Sequence, residues 1–493
     1  MPQRIFHLFV LSFLVFCIFA HLDDHQLEVW DEARRGVNAI EMASGDHHFL
    51  VTHYAGAPDH LGTKPPLLIW LQALFVHIFG IGELAVRLPA ALATVGLLSL
   101  LCWWSRRLRG DITLGVLAAG IIFCYRDYTF IHGFRSGDFD ALLILFLTAQ
   151  LAFFHQWITQ EKRKYLILAG LAVFLAGMTK GIAGGFFLPG VGLWILLDNK
   201  RRQRLLQPGI YLSVGSAILL VAAYYFFREQ VDPGYLEAVM GNELSGRYLE
   251  TNENHAHPFH YYLFRLWETP TFGVLFALTP FAVFLLYSDQ KSRSWSSLLS
   301  ITLIVFLVVI SISATKLYWY ASPALPIIGL LVAGLLLNIG DGLARQVHQY
   351  LRPLVVPFLA ASLFLHPFLA LGERVLHPGR HYVSAADYLV YRNPLKDFDH
   401  FTNFTLLARN YNPNVRFYVG QANQKGKGID LRHLTDEPIP SSAARFQLPK
   451  LTKEDLVMVC HMDTWRYVID HYWTEDEAAS GPCKMIKIKA PKT

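Results

Sequence analysis

Up to residue 372 the chain alternates long apolar stretches with short polar ones, and after that its pattern changes. Eleven stretches, 4–22, 84–104, 111–131, 138–157, 165–180, 182–197, 209–227, 263–287, 295–314, 318–339 and 353–371, are apolar enough to be expected as membrane-spanning helices. The fifth and sixth are short and meet at Thr179-Lys180-Gly181, a turn expected to dip into the bilayer. Residues 65–82, PPLLIWLQALFVHIFGIG, are nearly as apolar. They are barely long enough to cross, carry Gln72 and His77, and begin on prolines suited to a helix N-terminus. An interfacial helix on the outer leaflet is expected there. Residues 31–44 place Ala33, Val37 and Ile40 on one helical face and Arg34, Asn38 and Glu41 on the other, so a similar helix is expected. The polar remainder has strand-length apolar runs at Val415–Val419, Leu456–Cys460 and Met485–Ile488, a helix-like Thr464–Tyr472 and a Pro-rich loop at 438–449.

The predicted fold class is mainly α, a polytopic transmembrane helical protein, with a small C-terminal α/β domain. The expected boundaries are 1–372 for the membrane domain, including outer loops 23–83 and 228–262, and 373–493 for the second domain.

Composition and charge narrow the function. With 53% hydrophobic residues among 493 and a mean hydropathy of +0.32, an ordinary soluble enzyme is excluded. The net charge of +5 is scattered among short loops rather than gathered on one face, so nucleic acid is not an expected partner. Basic residues occupy alternate loops: Arg106/Arg107/Arg109, Lys162/Arg163/Lys164, Lys200/Arg201/Arg202/Arg204, Lys291/Arg293 and Arg345/Arg352. The positive-inside rule puts these in the cytoplasm, leaving the stretch after the first span, loop 228–262 and the tail outside. No small-x-small cleavage site precedes Asp23, so the first apolar segment is expected to stay as a span. Cys17, Cys102 and Cys124 lie in apolar segments and fit buried small hydrophobes. Cys460 and Cys483 flank strand-like runs in the tail, where either a disulfide or two free thiols would fit.

Ionisable groups in or beside spans are costly, and they gather on the outer side: Asp31, Lys64, Arg135, Asp138, Asp140, Lys180, His255, His257, Arg265 and Lys316, with Tyr320. Each has a bland explanation. Helix capping accounts for one of Asp138 and Asp140, and snorkelling accounts for Lys180 or Lys316 taken singly. Their convergence on one side is what points to a site.

WDEARRGVNAIEMASGD, TKPPLLIWLQALFVHIFG and ELAVRLPAAL resemble, in order and spacing, the bacterial aminoarabinose transferases that modify lipid A. These are similar to the protein O-mannosyltransferase-like group of GT-C glycosyltransferases. GDFDALL, MTKG, NHAHPFHYY and ATKLYWYASPALP extend the resemblance across residues 25–340. The resemblance implies a GT-C fold of about eleven spans and a polyprenyl-phosphate-sugar donor. It also implies an acceptor that is lipid A, a glycan or a protein, with chemistry at the outer face of the cytoplasmic (inner) membrane. It assigns Asp31 as the catalytic carboxylate and Lys64 as a contact to the donor phosphate. Arg34, Lys180 and Lys316 would line the phosphate or sugar region with Tyr320, and Asp140 would orient the site. His255 matches a position that holds a divalent metal together with an acidic residue just before Lys64. Thr63 stands in that acidic position here, so at most weak metal binding is expected.

The chemistry needs little more than these groups. A lipid phosphate is an activated leaving group, cations in a low-dielectric pocket stabilise the charge it develops, and one carboxylate can deprotonate the acceptor. The competing readings are a secondary transporter, which would show midplane charges and inverted repeats, and a non-catalytic polyprenyl-phosphate-binding protein.

Overall fold

The computed structural model describes residues 2–129, 132–249, 255–377, 391–409, 411–434 and 450–492, without the side chains of 244, 247 and 249. The Pro-rich piece 438–449 lies outside the described residues. Among the described residues nine helical segments are long and apolar enough to cross a membrane, which makes the chain an integral membrane protein. They are Pro2–Phe19, Glu83–Arg109, Asp140–Gln160, Arg163–Gly185, Pro208–Val231, Pro270–Ser288, Arg293–Ile312, Tyr318–Gln346 and Arg352–Leu376. Within two expected spans, 111–131 and 182–197, the helices are shorter than the apolar stretches, Thr113–Phe123 and Leu188–Leu196. At 1.5 Å per residue these rise about 16 and 14 Å, roughly half the hydrocarbon thickness. Every residue of Thr113–Phe123 is buried, which explains a segment apolar on all sides. A Cβ on Gly115 would come within 2.4 Å of the Leu101 carbonyl oxygen, so glycine is what lets this helix approach its neighbour. The segment 65–82 forms the helix Leu67–Phe79, whose 13 residues span about 20 Å and also fall short of a crossing.

The structure groups the chain into two units, 1–21 with 63–68 and 89–377, and 22–62 with 69–88 and 378–493. The outer loop 23–83, expected within the membrane domain, thus contributes most of its length to the second unit.

In the first unit the loop before Asp138 closes the end of the first helix. Arg135 Nη1 donates to the Cys17 carbonyl at 2.6 Å, and its Nη2 donates to those of Ala20 and His21 at 2.8 and 2.9 Å. Carbonyls left over at a helix C-terminus need such donors when they are buried. Arg135 therefore has a structural task that fully occupies its fork.

The second unit holds a two-stranded hairpin, β1 (His53–Tyr54) and β2 (Ala57–Pro58), and a five-stranded sheet. The sheet strands are β3 (Asn403–Arg409), β4 (Gly428–Leu434), β5 (Leu456–Val459), β6 (Tyr472–Ser480) and β7 (Cys483–Pro491), in the order β4-β3-β5-β7-β6. β3 runs parallel to β4 and β5, whereas β7 is antiparallel to β5 and β6. Alternation along β3 separates two cores. Leu406 and Ala408 pack with Val415, Phe417 and Tyr418, while Leu407 packs with Val457, Val459, Val468 and Ile486.

Two expectations are corrected here. Val415–Val419, read as a strand, lies in the helix Pro413–Gln424. Asn412 caps it by accepting from the Asn414 and Val415 amides at 3.0 and 3.2 Å, and Pro413 starts its first turn. A five-residue apolar run does not reveal its period, and the cap decides it. The helix Asp31–Ser44 was expected to present one face to water, yet Glu32 to Ala39 are all buried. It is a core helix of the second unit whose polar face finds polar partners.

Cys460 and Cys483 form a disulfide, as the ends of adjacent β5 and β7 allow, with Cα atoms 3.9 Å apart. Closing a loop of 23 residues is worth about 3 kcal/mol in the chain-entropy account. The double variant Cys460→Ala/Cys483→Ala should lose stability of this order in the second unit. Peptide mapping without reductant should recover the linked pair from native membranes, and free thiols at both positions would refute the bridge.

Candidate functional site

The first unit contains a cavity of about 320 Å³ with an apolar body and a small charged wall. Leu143, Ile182, Phe186, Val239, Phe306 and Ile310 supply much of the apolar lining, and Lys64, Asp140, Lys180, Glu243 and Tyr320 supply the polar part.

Local sequence puts each group in place. Lys64 is followed by Pro65 and Pro66, which hold the backbone extended before the helix at Leu67. Asp140 begins the helix Asp140–Gln160, and Lys180 ends the helix Arg163–Lys180. Gly181 follows at φ +57°, a left-handed turn, and a Cβ there would meet Tyr225 Oη at 2.5 Å. The turn aims Lys180 inward, so the snorkelling explanation fails: its Nζ donates to Asp140 Oδ1 at 2.6 Å and lies 5.6 Å from the Tyr320 ring centre. Asp140 is buried, and its other oxygen lies 3.3 Å from His132 Nδ1. The same nitrogen is 2.8 Å from Asp138 Oδ2, and the imidazole stacks on Trp319 at 4.0 Å. The two aspartates that open this span thus serve a charge network rather than the helix terminus alone.

Lys64 Nζ donates to Glu243 Oε1 at 3.1 Å, and Thr63 Oγ1 donates to the same oxygen at 2.7 Å. Glu243 sits in a ten-residue π-helical segment, Met240–Leu249. Such segments are rare and frequent at functional sites.

Of the predicted site residues the structure therefore brings Lys64, Asp140, Lys180 and Tyr320 to one cavity. Lys316 and His255 pair through the backbone, the Lys316 amide donating to the His255 carbonyl at 3.0 Å. The Lys316 ammonium donates to the Ser313 carbonyl at 2.6 Å, just past the helix Arg293–Ile312, a favourable place for a cation. Asp31 and Arg34 belong to the second unit. Asp31 opens the helix Asp31–Ser44 and is about half exposed, with Arg35 Nη2 3.2 Å away. Arg34 is buried and forked onto Asp59, its Nε 2.9 Å from Asp59 Oδ2 and its Nη2 on Oδ1. Tyr411 accepts from its Nη1, and the Tyr54 ring lies 4.9 Å below it. Burial alone would raise the Asp59 carboxyl. Arg34, with donors from Asn38 and Gly62, outweighs that and holds it at about 2. A guanidinium so engaged is a brace for the 59–62 turn, and it was expected to line the donor region.

Three residues escaped the sequence reading: Glu243, His132 and Asp59. Glu243 lay in a recognised outer loop without any local motif. His132 was an ionisable residue beside a span and met the same criterion as Asp138. Asp59 showed no signal except its position shortly before Lys64.

Residues 63–226 match a family model described as dolichyl-phosphate-mannose-protein mannosyltransferase. An undecaprenyl phosphate-alpha-4-amino-4-deoxy-L-arabinose arabinosyl transferase of Edwardsiella ictaluri is 32% identical over 241 residues, 47% of this chain and 42% of that protein. Its namesake in Aeromonas salmonicida is 28% identical over 355 residues, 69% of this chain and 62% of its own length. These alignments leave more than a third of each relative unmatched. The crystal structure of ArnT from Cupriavidus metallidurans bound to undecaprenyl phosphate superimposes with a TM-score of 0.69 at 14% identity, covering 97% of both chains. That likeness establishes the fold. The chain resembles the GT-C glycosyltransferases, and among them the aminoarabinose transferases.

Proposed function

We propose that the chain is a membrane glycosyltransferase that takes a sugar from a polyprenyl-phosphate carrier and places it on an acceptor hydroxyl. The observation that carries this reading is the cavity itself. Two ammonium groups, Lys64 and Lys180, line a mostly apolar space, which suits a phosphate attached to an isoprenoid. The relatives' names support a lipid-phosphate donor, and the acceptor is lipid A, another glycan or a protein.

In the proposed step the acceptor oxygen attacks the anomeric carbon from the face opposite the phosphate, and the C1–O bond to the phosphate breaks with inversion. The electron pair stays on the lipid phosphate, where Lys64 and Lys180 stabilise the growing charge. Asp31 takes the acceptor proton. Asp140, tied to both Lys180 and His132, fixes the lysine's direction. The test is transfer from a synthetic polyprenyl-phosphate sugar by the purified full chain, with the product's anomeric configuration read by NMR. A chain that binds the donor and transfers nothing would sink the enzymatic reading, and a retained configuration would sink the single displacement.

The donor set that the resemblance gives, His255 with the residue before Lys64, fits a divalent metal poorly, because that residue is Thr63. Glu243 is the carboxylate beside Thr63, and an ammonium and a hydroxyl already donate to it. Transfer should therefore persist in EDTA at neutral pH, and His255→Ala should reduce it only modestly. Complete loss in chelator, restored by a divalent ion, would show that metal is required.

The reaction is proposed for the outer face of the cytoplasmic membrane. Reporters fused after residues 108, 163, 202 and 292 should read as cytoplasmic and those after 60, 245 and 420 as external. A cytoplasmic signal at 420 would overturn the orientation.

A further inference from the structure

Two lysines and two carboxylates line the cavity among the described side chains, Lys64, Lys180, Asp140 and Glu243, so the formal charges of its lining cancel. The two pairs differ in kind. Asp140 is buried and held on two sides, by Lys180 at 2.6 Å and His132 at 3.3 Å. Glu243 is less enclosed, with about a quarter of its side chain exposed, and it stands on the π-helical segment against Lys64. Its carboxylate lies 3.1 Å from the Lys64 ammonium, so a phosphate paired with Lys64 would sit within a few ångströms of it.

We infer that Glu243 sets the charge preference of this cavity, disfavouring a lipid phosphomonoester relative to a lipid phosphodiester and so promoting departure of the spent carrier. The inference rests on the function proposed above. In that reaction the donor is a phosphodiester carrying one negative charge. The departing carrier is a monoester, which at neutral pH carries about 1.5 to 2 negative charges. A fixed carboxylate a few ångströms from the phosphate repels the second charge through a low-dielectric space, and the penalty falls on the product alone. Without Glu243 the cavity would carry a net positive charge and hold its product more firmly than its substrate. Thr63 contributes by holding the Glu243 oxygen in place. A zero-sum cavity favours the less charged of two ligands that share the same lipid tail.

The test uses the full chain in phosphatidylcholine nanodiscs at pH 8, with undecaprenyl monophosphate and its methyl phosphodiester as probes. The unaltered protein should bind the monoester no more tightly than the diester. Glu243→Gln keeps an acceptor for Thr63 while removing the charge. It should tighten monoester binding about tenfold, a change of 1.4 kcal/mol, and diester binding by less than about threefold. In turnover the same variant should show a lower kcat with a lower KM, and inhibition by added undecaprenyl monophosphate at lower concentration. Glu243→Asp, which retains the charge, should keep the preference of the unaltered protein. Equal tightening for both lipids, or none, would overturn the inference, as would monoester preference in the unaltered chain. Binding of neither lipid by the unaltered chain would instead remove the functional reading on which it stands.

Discussion

Replacing Asp31 by Asn should leave the chain folded and able to bind the lipid donor while reducing transfer by about 10²–10⁴-fold, the usual loss for one general base. The substitution changes a charge and almost no volume. Asp31 is about half exposed at the start of its helix, and an Asn side-chain oxygen can still accept from the buried Arg35 guanidinium 3.2 Å away. Thermal unfolding measured beside activity separates lost chemistry from lost stability. Donor binding should survive, because the cations proposed to face the phosphate are Lys64 and Lys180. Wild-type transfer by Asp31→Asn in purified membranes would show that another group accepts the proton.

Glu32→Gln, one residue further on, should do the opposite and damage the fold before it touches the chemistry. Glu32 and Arg87 are both almost wholly buried and bonded by both carboxylate oxygens, at 2.7 and 3.0 Å. Arg87 also donates to the carbonyls of Leu22, His25 and Gln26. Its charge is thus the pin for the chain segment that leads into the helix Asp31–Ser44. Removing the carboxylate charge leaves a guanidinium buried without its counter-ion, which typically costs about 3–5 kcal/mol. Thermal unfolding of the purified chain should register the loss, and Arg87→Met combined with Glu32→Gln should recover part of it. A single variant with unchanged stability would mean that water or a shifted neighbour compensates the charge.

These adjacent residues show how much of the molecule is legible in sequence. The spans were readable because hydropathy sums over about twenty residues and does not depend on partners. At 111–131 and 182–197 the helices are shorter than the apolar stretches that announced them, Thr113–Phe123 wholly buried and Leu188–Leu196 about half so. The helix Asp31–Ser44 was placed correctly but given the wrong surroundings. Its polar face is satisfied by Asp59, 25 residues beyond Arg34, and no periodicity announces a partner at that distance. The pairing of Lys64 with Glu243 spans 179 residues and was invisible for the same reason. The cavity lysines were legible because cations at membrane depth demand a reason wherever their partners lie. Val415–Val419 was a plainer error: composition suggested a strand, and a single capping asparagine settles the matter in favour of helix.

The short helix Thr113–Phe123 bears on how the chain is assembled. Eleven residues are too few to partition into a bilayer as an independent unit, and its backbone ends would meet hydrocarbon without donors or acceptors. Its stability must come from neighbours, and these include helices made after it: a Cβ on Gly120 would come within 2.7 Å of the Phe364 ring, and one on Gly329 within 2.9 Å of the Ala118 carbonyl oxygen. Insertion of this protein therefore cannot proceed strictly one segment at a time in the order of synthesis. The stretch around residue 115 has to wait, partly outside the membrane or held by the insertion machinery, until helices made after it arrive to enclose it.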